Sequence, residues 1–121
     1  KQMSKIVEKV YGLSKGSEEI VITFNDGSVF FMKHYQDCCE RVEVEDVDGD
    51  ASDLIGSEWI GYEVSTRDDP AEEYGIGMWT FYTIRTTKGT VWLRWYGESN
   101  GYYSVSVDCG YASSENEISR W

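Results

Sequence analysis

GMWTFYTIRTTKGTVWLRWYG, residues 77–97, is the stretch that decides the fold. Two runs rich in β-branched and aromatic residues flank Lys88-Gly89, and a glycine there admits the backbone of a tight turn. In the second run Val91, Leu93 and Trp95 share one face, and Trp92, Arg94 and Tyr96 share the other. That two-residue period is the signature of a strand. Both faces are bulky, so the sheet is either covered on both sides or leaves an aromatic face open.

Downstream, ESN (98–100) leads into GYYSVSVDCG (101–110), which reads as a third strand beside the first two. The tail ASSENEISRW (112–121) is polar and is expected to fray, as are residues 1–4. Upstream, EWIGYEV (58–64) alternates like a strand, and STRDDPAEEYGIG (65–77) has no period and reads as a long loop. SDLIG (52–56) has the capping and terminating residues of one helical turn. RVEVEDV (41–47) alternates, with Val42 and Val44 inward and Glu43 and Glu45 outward. EEIVITF, NDG and SVFFMKHY (18–35) form a hairpin pattern around Asp26-Gly27, and KIVEKVYGL (5–13) leans to strand. The count is seven or eight strands. The expectation is one mainly-β domain over residues 1–121, with α+β as the alternative. It would hold an antiparallel sheet with a C-terminal three-stranded meander and one or two short helical turns.

The formal net charge is −11. Between Asp37 and Glu73 there are fourteen Asp or Glu against Arg41 and Arg67, so the acidity belongs to that segment. Such a balance argues against a nucleic-acid backbone or an anionic membrane as partner and favours a basic protein surface or a cation. Solubility alone also accounts for it. An aromatic fraction of 15% supplies enough large side chains for a core. No apolar run is long enough to span a bilayer. Cys38 and Cys39 are adjacent, and with Cys109 the count is odd, so free thiols in a reducing compartment are expected.

Three constellations carry chemistry. The first is acidic: Glu43, Glu45, Asp46, Asp48 and Asp50, with Asp68, Asp69, Glu72 and Glu73 contributing from the 65–77 segment, form a docking face. Asp46-x-Asp48-x-Asp50 matches the first spacings of a calcium loop, but Ala51 and Ser57 stand where its glycine and glutamate belong. The second is aromatic: Trp92, Arg94, Tyr96 and Tyr102 offer a stacking pocket for a nucleotide-like ring, set against plain core packing. The third is His34, Cys38 and Cys39, a zinc-type set or a cysteine nucleophile with its base. Its spacing matches no paired-ligand motif, and neighbouring Asp37 and Glu40 oppose a thiolate.

The segments His34–Glu40, Asp53–Gly56, Trp79–Tyr82 and Arg94–Tyr103 together resemble a family of small proteins of unknown function from bacteriophages and prophages, over about residues 18–108. The resemblance implies a small accessory protein in the cytoplasm of a bacterial host cell. It implies no chemistry. Taken with the charge, it leads to the expectation of a non-enzymatic protein without a cofactor. Its acidic surface would antagonise a host defence or nucleic-acid-handling protein.

Overall fold

The computed structural model describes residues 5–36, 39–69, 75–101 and 104–118. Eight strands run in chain order: β1 (Val7–Tyr11), β2 (Glu19–Phe24), β3 (Val29–Lys33), β4 (Arg41–Asp48), β5 (Trp59–Asp68), β6 (Ile76–Thr86), β7 (Gly89–Ser99) and β8 (Asp108–Ala112). A 3-10 turn, Ala51–Asp53, and one short helix, α1 (Glu115–Ile118), complete the described elements. The strands form two antiparallel sheets, ordered β1-β2-β3-β8 and β4-β7-β6-β5. The domain is mainly β, as the alternation predicts.

The two sheets bury one face each against the other. Ile20, Ile22, Phe24, Phe30 and Met32 from the first meet Val42, Val44, Tyr82, Ile84, Val91, Leu93 and Trp95 from the second. Trp59 meets Phe24 edge-on and Phe30 at a tilt, both at 5.2 Å between ring centroids, and Tyr62 lies 4.5 Å from Phe30. These are the inward members of alternating runs, so the period in the sequence becomes a two-layer sandwich. Every fully buried large side chain removes about 1.5–3 kcal/mol worth of apolar surface from water. Gly97 lets the returning segment cross tightly over β7, since a Cβ there would sit 2.8 Å from Val105.

Three expectations change. The meander is real but sits one strand earlier, as β5-β6-β7; β8 leaves that sheet and pairs with β3, Phe31 opposite Gly110. The 65–77 stretch is strand at both of its ends: β5 continues to Asp68, Asp69 N–H donates to Gly77 O at 2.9 Å, and β6 starts at Ile76, with residues 70–74 outside the described residues. Its alternation was hidden because both faces of this end of β5 are polar and exposed. The tail is packed as far as Ile118, which is 4% exposed and lies with Val21, Val29, Phe31 and Ala112 on the outer side of the first sheet. Thr23 Oγ1 donates to Glu115 at 3.1 Å and Tyr35 donates to the Ile118 carbonyl at 3.1 Å, fixing the helix there. Among the described residues no helix is long and apolar enough to cross a membrane.

Candidate functional site

The outward side chains of the β4-β7-β6-β5 sheet are set by its register. Across the strands run Glu43, Tyr96, Trp79 and Arg67, then Asp46, Arg94, Phe81 and Ser65, then Asp48, Trp92, Thr83 and Glu63. A bulge at Glu45 adds one residue to β4 and keeps Asp46 and Asp48 on this face. The acidic segment thus supplies both edge strands, while the centre holds aromatic rings and arginines. No described element lies over them.

Charges and rings on this face are coupled. Arg94 binds Glu45 through Nε and lies 3.7 Å from Asp46, and its guanidinium stands 5.3 Å from the Trp79 ring centroid. Hydrogen bonding to Glu45, with the nearby charges of Glu45 and Asp46, holds the Arg94 guanidinium above its ordinary pKa. Arg67 covers Phe81 at 5.6 Å. Arg85 binds Glu63 at 2.7–2.8 Å and Arg41 binds Glu43 at 2.8 Å. Tyr96 donates to Asp69 at 2.7 Å, a bond that needs Gly77, where a Cβ would meet the Tyr96 hydroxyl at 2.5 Å. Trp92 keeps 53% of its surface exposed, without an arginine over its ring among the described contacts. Beside it Asp46, Asp48, Phe81, Thr83, Trp92 and Arg94 line a hollow of about 280 Å³.

Glu43, Asp46 and Asp48 of the acidic constellation therefore share one face with Trp92, Arg94 and Tyr96 of the aromatic one. Within it Glu43, Glu45 and Asp46 are paired to arginines. Asp50 turns away from the face and serves the fold. It caps the 3-10 turn, accepting from Ser52 N–H at 2.8 Å, and Asp53 accepts from Asp50 N–H at 3.0 Å. Asp68 is exposed at the end of β5. Glu72, Glu73 and Tyr102 lie outside the described residues. Arg94, the residue suited to an anion, is already engaged by two carboxylates, so a phosphate would have to displace them.

His34 is engaged elsewhere. It is buried, its Nδ1 donates to the Ser106 carbonyl at 2.7 Å and its Nε2 lies 2.9 Å from Glu40 Oε2. Because Nδ1 faces a carbonyl, which only accepts, Nδ1 is the donor in that contact. The pair pins the β3–β4 connection to the 104–107 crossing. Neither ring nitrogen is open to a metal. Cys39 is disulfide-bonded, which corrects the expectation of free thiols, and its sulfur is no thiolate in this state. Cys38 lies outside the described residues, and Cys109 is a free thiol 3.8 Å from the Tyr62 hydroxyl. That contact and burial hold Tyr62 above the usual phenol pKa. Among the described residues no three His, Cys, Asp or Glu side chains gather as a ligand set. Glu40 is the partner that sequence reading missed; a six-residue separation within a loop carries no periodic signal.

No curated protein and no solved structure matches the chain. A family model for a domain of unknown function, DUF7448, matches residues 2–109, nearly the whole sandwich. The chain belongs to the DUF7448 family.

Proposed function

We propose that the protein is a non-enzymatic binding module that docks a basic protein surface on the outer face of the β4-β7-β6-β5 sheet. An arginine or lysine of the partner would lie on the Trp92 ring, with Asp48 and Asp46 beside it. The observation that carries this reading is the exposed Trp92 directly across from Asp48 on the neighbouring strand, next to the hollow. An indole face attracts a cation, and an adjacent carboxylate completes the charge. The arginines of the face already show the arrangement internally, over Trp79 and Phe81. A net charge of −11 would steer a basic partner from a distance and repel phosphate backbones and anionic membranes. The resemblance to small phage and prophage proteins makes a defence or nucleic-acid-handling protein in the cytoplasm of a bacterial host the candidate partner. The partner would be inhibited by occlusion of a surface that otherwise meets phosphates. No cofactor is required.

An oligoarginine peptide serves as probe, read by tryptophan fluorescence at low and high salt. Binding should weaken with salt, fall about threefold to tenfold in Trp92→Ala, and fall by about half that factor in Asp48→Asn. Titration with ATP should give no change. Peptide binding indifferent to both substitutions, or ATP binding that depends on Arg94, would replace this reading with the nucleotide pocket.

A further inference from the structure

We infer that β5 is a self-association edge, and that two copies of this chain join antiparallel through it about a two-fold axis at Ser65. This rests on the backbone edge of β5 and on Glu63 and Arg67 at that edge, and does not depend on what the Trp92 hollow binds.

β5 is the end strand of its sheet. Only its start is covered: Glu58 bridges Ile6, and Trp59 N–H donates to Lys5 O at 2.8 Å. From Ile60 to Asp68, no described backbone group pairs on the free side. Asp69 N–H donates to Gly77 across the hairpin, so the alternate residues 63, 65 and 67 turn their backbone groups toward β6. Residues 62, 64, 66 and 68 therefore turn theirs outward. Ile60 and Val64 are exposed at 63% and 47%, an apolar cost on a bare edge.

Side chains select the register. Antiparallel pairing about Ser65 sets Tyr62 opposite the second copy's Asp68, Val64 opposite its Thr66, and Glu63 opposite its Arg67. Every outward-turned backbone group in 62–68 then finds a partner. Centring on Val64 or Thr66 leaves some unpaired and sets Glu63 opposite Ser65 or Asp69. The two charges are also available. Arg85 occupies only Oε1 of Glu63, and Arg67 touches the Phe81 ring without a carboxylate partner among the described residues. Two-fold symmetry makes the Glu63–Arg67 contact twice, and charges that would repel a generic strand here accept one particular strand. The result is one eight-stranded sheet with both Trp92 hollows on the same side.

Sedimentation equilibrium of the full chain near 0.15 M salt should show a reversible species of twice 13.9 kDa. Val64→Pro removes an outward N–H while sparing the β5–β6 ladder, and should give a folded monomer, with circular dichroism as the control. Arg67→Glu and Glu63→Lys should each raise the dimer dissociation constant about tenfold or more. Mixing the two variants should restore a mixed dimer, because each then meets an opposite charge. A monomer at every concentration, a dimer that survives Val64→Pro, or variants that fail to complement each other would overturn the proposal. An extended peptide that binds the monomer at this edge would assign it to a different occupant.

Discussion

The sandwich has two outer faces, and they are finished in different ways. On the β1-β2-β3-β8 side Val21, Val29 and Phe31 point outward, and the chain covers them with Ala112 and the Ile118 side chain of α1. On the β4-β7-β6-β5 side Trp79, Phe81 and Tyr96 also point outward, yet no described segment returns over them. Arg94 and Arg67 take that place over Trp79 and Phe81, and Arg94 is anchored in turn by Glu45 on the edge strand β4. An apolar face needs a cover made of chain. A face of rings and guanidinium planes covers itself, and stays available to a partner of the same chemistry.

Substitution should separate the two faces sharply. Phe31→Ala removes a fully buried ring and should cost about 3–5 kcal/mol, and Ile118→Ala about 2 kcal/mol, in urea unfolding. Trp92→Ala, on the open face, should shift stability by less than about 0.5 kcal/mol. Equal losses at Phe31 and Trp92 would mean that the open face is packed after all. A smaller effect is expected from the Arg94–Glu45 contact. A double-mutant cycle with alanine at both positions should give a coupling of about 0.5–1 kcal/mol, since both side chains keep about a third or more of their surface exposed. A coupling near zero would leave the guanidinium planes without a carboxylate anchor. The smallest effect tests whether Asp50 belongs to the docking charge or to the turn. Hydrogen bonds from Ser52, backbone first and hydroxyl second, hold its carboxyl below the usual value. A depressed folded pKa stabilises above the unfolded value and loses that contribution as pH falls through the folded one. Asp50→Ala should therefore melt earlier than the parent near neutrality, and the gap should close in acid. A gap that persists unchanged in acid would show that the cap does not depend on the charge.

What the sequence made legible follows from which information is local. The hairpins at Asp26-Gly27 and Lys88-Gly89 and the inward Val91-Leu93-Trp95 stripe depend on neighbouring residues, and they stand as read. Sheet membership does not: β8 has no feature that prefers β3 over β7, and the choice is made by Gly97 and Val105 steering the chain across the sandwich. Residues 65–68 of β5 failed to read as strand because Ser65, Thr66, Arg67 and Asp68 are polar and exposed on both faces. Within the candidate site, the acidic residues were visible one by one. Their pairing with arginines of another strand was not, because it is fixed by register and by the bulge at Glu45. The buried contact of His34 with Glu40 and Ser106 similarly depends on two loops meeting.

The placement of β8 has a consequence for synthesis. The β4–β7 sheet is complete in sequence by Ser99, but β3 acquires its second neighbour only from Asp108–Ala112. A nascent chain emerging from the ribosome can assemble one layer and must hold the other open along Phe31 and Met32 until β8 arrives. Emergence of β8, and not of the first hairpin, is therefore the step that closes the β3 edge, and an unpaired strand edge is what exposes a folding chain to aggregation.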